Sequence, residues 1–569
     1  MGLITMCLSW LLPNKEYPWL PAWNEGLAFA AVLILWIVNS GYVSKNRLKE
    51  SGISWPVLVF STLAIIVVWV QYGAGLLIFS GDAFLVSLYF LIFLIAIRVG
   101  GVMATSREEK KWMNALIAAL VISTVISIGI ALIQWTHTWN FAIFLMETGI
   151  GDRPGANLGQ INNFNTLCFV SVCGVLYLYR QNNLRLSIAL LAGLFLTFGM
   201  ALTQSRTGWL QIIFLSGFAL LSAKNTKTKF IVLIFAAVFF SWYISIPLIE
   251  SRSLISADQH YRDLPINDVR VVMWSALIEA AAMRPWGGYG WLQTGWAQQV
   301  TAESIPILRS YMSYSHNFAL DLVVWTGWPI AIVLVGLLAI WFLKHLVFRN
   351  NESEMFLYCA VVGIFIHGLL EYPLSYAYFL MPAGLMMGYL DGARPVFKRY
   401  IFSYRYQFAL FIVTVSLYLL VCADYMKAVS VDVAVRMRSA QIARGTDTEK
   451  IDTKFIVLNQ LEAMYDVRLM PVDGYKSEDL MLLMTRVVQR YPYSPALFQY
   501  AWMRAMRGEN SAAEKQLRVL CGIYSEAHCQ IIENRWKSLQ KEYPGTVGLV
   551  NFPDQSVGDG KNKFKKSYK

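Results

Sequence analysis

Residues 112–134, WMNALIAALVISTVISIGIALIQ, contain no charged side chain and are entered from Arg107, Lys110 and Lys111. A hydrocarbon core of about 30 Å takes about 20 apolar residues of helix to cross, and basic residues in short loops are retained in the cytoplasm. The stretch therefore reads as a membrane crossing anchored at its basic end. Uncharged or nearly uncharged runs of the same kind recur at 25–41, 54–72, 83–101, 161–179, 186–203, 207–222, 229–247, 317–343, 354–372, 374–390 and 406–424. A shorter run, Met1 to Leu12, ends before Pro13 and makes a thirteenth. It has neither a basic n-region nor a small-residue cleavage site, which argues against a removable signal peptide. The expected fold class is an all-α polytopic membrane protein of about 13 transmembrane helices.

The composition excludes a soluble globular chain: 56% of 569 residues are hydrophobic and only 15% are charged. The net charge of +12 is mostly a topological signal. Lys45, Arg47 and Lys49; Arg107, Lys110 and Lys111; Arg180 and Arg185; Lys224, Lys227 and Lys229; Lys344 and Arg349; and Arg394, Lys398 and Arg399 all fall on the same side when the crossings are counted. Nucleic acid is accordingly not an expected partner; membrane lipids are. This alternation puts the N-terminus in the cytoplasm of a bacterial inner membrane. It sends loops 135–160, 204–206, 248–316 and 372–374, and everything after Ala423, to the periplasm.

Three parts follow: a membrane body over 1–424 that contains the large periplasmic loop 248–316, a helical region over 425–550, and a polar, basic tail over 551–569 that reads as disordered. The small and aromatic residues from Tyr491 to Leu520, with Pro492, Pro495, Tyr500, Ala501, Gly508, Ala513 and Leu517 in order, have the spacing of a TPR-like helix–turn–helix repeat. Cys7, Cys168, Cys173, Cys359 and Cys422 sit in apolar spans, where a thiol behaves as a small hydrophobe. Cys521 and Cys529 fall on the oxidising side, so a disulfide between them is expected; two reduced, buried thiols are the alternative.

Arginine should be kept out of translocated loops, yet Arg153, Arg206, Arg252, Arg262, Arg270, Arg284 and Arg309 all lie on the periplasmic side. Arg206 stands in Thr203-Gln204-Ser205-Arg206-Thr207-Gly208 between two spans with almost no loop. A charge near that depth costs up to about 3 kcal/mol and usually marks function, although a guanidinium can also snorkel to lipid headgroups. Guanidinium forks match phosphate oxygens and keep their charge, so several of them converging at a membrane surface suit a lipid-linked pyrophosphate. Arg270, within Asp268 to Trp274, is the second candidate; for the others a salt bridge with Glu250, Asp258, Asp263 or Asp268 is the competing role. His316 leads into a helix at the periplasmic interface and could exchange a proton near neutral pH, or be structural. Gln160 and Asn163, in the polar run Gly155 to Asn165, and Glu371, Tyr372 and Tyr376, in the hairpin between two spans, could orient sugar hydroxyls or phosphate, or cap helix ends. There is no phosphate-binding glycine loop, no HExxH and no zinc-spaced Cys/His set, so neither a metal nor another cofactor is expected.

Together, Gln160 in Asn157-Leu158-Gly159-Gln160; Thr203 to Gly208; Arg270 with Trp274; Pro285 to Gly290; Ser315-His316-Asn317; and Glu371-Tyr372-Pro373 to Tyr378 resemble the bacterial protein O-oligosaccharyltransferases. These PglL-type enzymes belong to the O-antigen ligase and polymerase (Wzy-like) superfamily. The resemblance covers essentially the whole membrane body and implies a GT-C-like glycosyltransferase. It implies metal-independent transfer of a preassembled glycan from undecaprenyl diphosphate to a Ser or Thr hydroxyl of a periplasmic acceptor protein, often a pilin. Residue by residue, it implies His316 as the essential histidine, Arg206 and Arg270 as phosphate-binding arginines, Gln160 as the functional glutamine and Tyr372, with Tyr376 beside it, as the functional tyrosine. A lipopolysaccharide O-antigen ligase or O-antigen polymerase would use the same chemistry on a sugar hydroxyl; a lipid-linked glycan flippase would form no glycosidic bond.

Overall fold

The computed structural model describes residues 1–15, 17–42, 52–105, 107–138, 144–149, 152–252, 266–304, 310–346, 351–440 and 451–553. Arg262, Arg309, Lys45, Arg47, Lys49 and Arg349, part of the 248–316 loop and residues 554–569 of the basic tail lie outside them. The described chain is helical almost throughout. Eight of its helices are long and apolar enough to cross a membrane: Ala22–Asn39, Trp55–Gly73, Ser80–Met103, Lys110–Thr136, Ile161–Arg180, Thr226–Ser251, Trp328–His345 and Tyr404–Arg438. Gly2–Leu11 and Leu186–Leu202 are shorter apolar helices. The chain is an all-α polytopic membrane protein.

Where apolar runs and helices differ, local chemistry explains it. Arg206–Ser222, Glu352–Gly368 and Ala377–Ala393 have 17 residues each, about 25 Å at 1.5 Å per residue. The run expected over 317–343 is broken at Gly327, whose φ of +79° only glycine adopts freely. It becomes a short helix, Phe318–Thr326, followed by the membrane-length Trp328–His345. The break is bracketed by the Pro285–Gly290 segment: Trp328 N–H donates to Pro285 O at 2.8 Å, Tyr289 N–H to Val324 O at 2.8 Å and Gly290 N–H to Trp325 O at 3.1 Å. At the other end of the body the span over 406–424 does not stop, but continues as one helix, Tyr404–Ser439.

The chain packs as two compact units. Unit one comprises Met1–Leu63, Leu88–Leu264 and Gly336–Tyr418. Its packing rests on backbone proximity as well as apolar contact. Gly384, Gly388 and Gly392 recur every four residues along Ala377–Ala393, and a Cβ on Gly388 would run into Ile97 O, while one on Gly100 would run into Leu385 O. Small residues at this spacing let two membrane helices approach closely. Beneath the surface runs a buried polar chain: Asn165 donates to Gln211 at 2.8 Å, Gln211 to Thr166 at 3.0 Å, and the Thr166 hydroxyl pairs with His367 Nδ1 at 2.9 Å. At one end of the unit several basic loops meet. Ile53–Ser54 pairs antiparallel with Arg399–Tyr400, and Glu352 binds Arg180 at 3.0 Å and the Asn225 N–H at 2.7 Å.

Unit two comprises Ala64–Ser87, Pro265–Val335 and Leu419–Lys569. Helices Glu478–Arg490, Ser494–Met506, Asn510–Ile523 and Glu526–Glu542 follow one another with short connections, and Gly508 turns the chain at φ +77°. Met484, Leu497, Ala501, Leu517 and Trp536 are fully buried in their shared core. Arg490 forks onto the buried Asp82 carboxylate at 2.7 and 3.0 Å. Cys521 and Cys529 are disulfide-bonded, with Cα atoms 5.2 Å apart. The Asp424 carboxylate accepts three successive backbone N–H groups, from Ile456 at 2.9 Å, Val457 at 2.6 Å and Leu458 at 2.9 Å.

Candidate functional site

In unit one the chain from Gly155 to Asn165 bends through the turn Ala156–Leu158 and enters the buried helix Ile161–Arg180. Asn157 is consumed by this bend: its amide donates to Leu11 O at 2.7 Å and Phe144 O at 2.9 Å, and its Oδ1 accepts from Met146 N–H at 3.1 Å. Asn162 and Asn163, in the first turn of the helix, bind other elements. The Asn162 amide donates to Glu371 Oε1 at 3.2 Å and its Oδ1 accepts from Ser205 Oγ at 2.7 Å. Asn163 is buried and donates to the Tyr378 hydroxyl at 3.0 Å.

Two consequences follow for the candidate residues. Ser205 is the N-cap of Arg206–Ser222, so the Asn162 bridge anchors the turn on which Arg206 stands, at the first helical position and exposed. Arg153 joins the same turn, donating to Gln204 O at 3.1 Å. A helix N-terminus presents free N–H groups and a positive dipole end, so Arg206 reinforces rather than opposes the local field. On the other side of the bridge, Glu371 opens the hairpin whose rings touch in series: Tyr372 is tilted against Tyr376 with centroids 5.7 Å apart, and Tyr376 stacks on Tyr378 at 5.1 Å. Glu371 and Asn163 are buried, while Gln160, Tyr372 and Tyr376 are part-exposed. Gln160 Oε1 and Asn163 Oδ1 are acceptors with no hydrogen-bond partner among the described residues. Arg153, Arg206, Gln160, Asn163, Glu371, Tyr372 and Tyr376 thus share one end of one helical bundle.

Arg270 and His316 belong to unit two. Arg270 and Trp274 stand one turn apart on the helix Ile266–Met283, a spacing that places them on the same face. Trp274 Nε1 donates to Ser315 O at 2.9 Å, so the helix carrying Arg270 is tied to the residue preceding His316. His316 adopts φ +58°, a left-handed conformation that histidine tolerates better than most residues but that still costs energy. Asn317 then caps the helix Phe318–Thr326, its side chain accepting from Ala319 and Leu320 N–H. Arg284 lies over the Tyr289 and Trp296 rings, 5.0 and 4.3 Å from their centroids. Of the other histidines, His345 sits 3.3 Å from Asp391, His528 pairs with Ser494 Oγ at 2.6 Å and His367 holds Thr166. His260 lies outside the described residues.

Residues 191–335 match the family described as O-antigen ligase, and residues 355–538 the family described as virulence factor membrane-bound polymerase, C-terminal. Two proteins of Acinetobacter baylyi are similar over most of their length. A ComP-specific O-oligosaccharyltransferase is 26% identical over 95% of this chain and 97% of its own. A general O-oligosaccharyltransferase is 29% identical over 69% of each. The chain is thus similar to O-oligosaccharyltransferases over most of its length and carries a region that matches the O-antigen ligases.

An O-oligosaccharyltransferase is a glycosyltransferase, so the chain is an enzyme. The ligase match contains Arg206, Arg270 and His316, and the polymerase match contains Glu371, Tyr372, Tyr376 and both disulfide cysteines. Arg153, Gln160 and Asn163 precede both. Three residues escaped sequence reasoning as partners: Asn162, Tyr378 and Asp321. Asn162 and Tyr378 stood inside motifs already quoted, but nothing in their spacing says that one would bind Glu371 and the other Asn163, each more than two hundred positions away. Asp321 offered one signal, a carboxylate within an otherwise apolar helix four residues after Asn317.

Proposed function

We propose that the enzyme transfers a preassembled oligosaccharide from undecaprenyl diphosphate to a serine or threonine hydroxyl of a periplasmic protein, with a pilin as the favoured acceptor. The observation that carries this reading is the Asn162 bridge, which links the turn bearing Arg206 and Arg153 to the acid-and-tyrosine hairpin. Cationic groups suited to a diphosphate and polar groups suited to sugar hydroxyls are thereby set side by side.

In this mechanism His316 accepts the proton of the acceptor hydroxyl, and the oxygen attacks the anomeric carbon of the glycan from the face opposite the diphosphate. The bond from that carbon to the phosphate oxygen breaks, the configuration inverts, and undecaprenyl diphosphate leaves with both electrons. Arg206, Arg270 and Arg153 hold the leaving charge through fixed guanidinium forks. Gln160, Asn163, Glu371, Tyr372 and Tyr376 orient donor and acceptor hydroxyls; the unpartnered Oε1 of Gln160 and Oδ1 of Asn163 accept hydrogen bonds from them. All charge stabilisation in this scheme comes from side chains, with neither metal nor other cofactor.

The same reading has thirteen crossings of the bacterial inner membrane with the N-terminus cytoplasmic. It divides the chain into a GT-C-like body over 1–424 with its 248–316 loop, a TPR-like periplasmic domain over 425–550 and a basic tail over 551–569. The meeting of the basic loops around Glu352 and the 53–54 and 399–400 strands at one end of unit one supports this sidedness. The Cys521–Cys529 disulfide does so too, since such bonds persist in oxidising compartments.

The names of the matched families favour a second reading, in which the acceptor hydroxyl belongs to a sugar of lipopolysaccharide core or of a growing polysaccharide. Reconstitution separates the two. The full-length chain is placed in liposomes with an undecaprenyl-diphosphate oligosaccharide and offered a pilin protein and lipid A–core together. Label on the pilin is expected; label confined to lipid A–core would replace the first reading with the second.

A further inference from the structure

We propose that Asp321 is a positioning residue for His316, holding through its carboxylate the backbone of Ser315, the residue that precedes the imidazole. This inference rests on the reading of His316 as the base. Asp321 is 2% exposed and points from the helix Phe318–Thr326 back to the segment that precedes it. Its Oδ1 accepts the Ser315 N–H at 2.7 Å.

The remaining atoms of Ser315 are held as well. Its carbonyl accepts Trp274 Nε1 at 2.9 Å, and its hydroxyl donates to Asn317 O at 2.8 Å. Ser315 is completely buried, and Asn317 is fixed as the helix cap. Both neighbours of His316 are therefore held by hydrogen bonds, with His316 in the left-handed conformation between them. Thr294 supports the carboxylate itself: its hydroxyl hydrogen-bonds Asp321 and accepts Trp325 Nε1 at 2.8 Å. Trp325 thus donates to Thr294 and Thr294 to Asp321, and the same carboxylate accepts the Ser315 N–H.

The geometry favours a positional over an electrostatic role. Desolvation by burial pushes the Asp321 carboxyl up to about 7, although the Ser315 N–H and the nearby His316 ring oppose it. A carboxyl half protonated near neutrality is an inconstant source of charge, yet its oxygen accepts the Ser315 N–H in either state. An error of about 1 Å in a reacting group costs on the order of 100-fold in rate, and this is the margin such support protects.

The test compares full-length enzyme and variants, purified and matched for thermal unfolding midpoint, on a synthetic undecaprenyl-diphosphate disaccharide and a pilin protein. Asp321→Ala is expected to lower kcat about 100-fold while leaving KM for both substrates within about threefold. Asp321→Asn, which keeps the acceptor oxygen, is expected to restore kcat to within about tenfold of the parent. Equal losses in both variants would show that charge, not placement, is what Asp321 supplies, and would overturn the proposal; so would an Asp321→Ala enzyme with parental kcat. If that variant does not fold, Thr294→Val removes only the supporting hydroxyl and should lower kcat at constant KM; unchanged kcat overturns the proposal. His316→Ala is run alongside. A fully active His316→Ala enzyme overturns the base assignment itself, whereas an inactive one beside an active Asp321→Ala overturns the positioning alone.

Discussion

Asn162 donates to Glu371 at 3.2 Å while accepting from Ser205 at 2.7 Å, so one amide spans a helix mouth, a helix start and a hairpin. Removing it by Asn162→Ala leaves a buried carboxylate short of a donor and frees the turn that carries Arg206. Losing a hydrogen bond to a charged group costs about 1.5–3 kcal/mol. The expected result is a fall in kcat/KM of about 10- to 100-fold with the protein still folded in the membrane, measured by transfer to a pilin protein; parental kcat/KM would remove the bridge from the site.

Gly388 tests the packing of unit one. Its missing side chain lets Ala377–Ala393 lie against the backbone at Ile97, and neither partner there is a side chain that can swing away. Overpacking of a tight site typically costs about 1–3 kcal/mol. Gly388→Ala should lower the thermal unfolding midpoint in detergent, and Gly388→Leu should yield little folded protein by size-exclusion chromatography. Gly336, with no atom near its absent Cβ, is the control that should accept alanine without loss.

The raised pKa of Asp321 has a definite sign in stability. An unfolded aspartate gives up its proton near pH 3.9, whereas burial holds the proton on the folded chain up to about 7. Between these values the folded state binds more protons, so stability contributed by this group is greatest below about pH 4 and is lost as pH rises toward 7. Unfolding midpoints of parent and Asp321→Asn, compared at pH 5 and pH 8, should show a parental decline that the amide variant lacks.

The disulfide closes a loop with a sequence separation of 8, which chain-entropy arguments value at about 2–3 kcal/mol. Paired Cys521→Ser and Cys529→Ser substitutions should leave transfer activity intact but make Asn510–Glu542 more susceptible to limited proteolysis. Intact mass without reductant should lie below the reduced mass by two thiol hydrogens.

Composition and charge made much of this architecture legible before any coordinates, because a crossing is declared by local apolarity and a loop by its basic residues. The limits are equally specific. Gly327 hides a helix break inside an unbroken apolar run, since the break is bracketed by backbone hydrogen bonds to Pro285–Gly290, some forty positions away. Ala423 looked like the end of a helix because the apolar run stops there, but helices do not need apolarity to continue, and this one runs on to Ser439. At the site, the candidates legible from sequence were those with unusual chemistry for their place, namely an arginine in a tight turn and a histidine at a helix entrance. Asn162 and Asp321 carried no such anomaly; their importance is a matter of whom they touch.

The Asp424 carboxylate, gripping three consecutive peptide N–H groups of Ile456, Val457 and Leu458, works as a rivet between the long helix and the strand of chain that follows it. A rivet makes the covalent link between its two sides dispensable. Chains cut between 441 and 450 and produced as two separate polypeptides should still assemble, and Asp424→Ala should be what makes the halves fall apart on affinity purification.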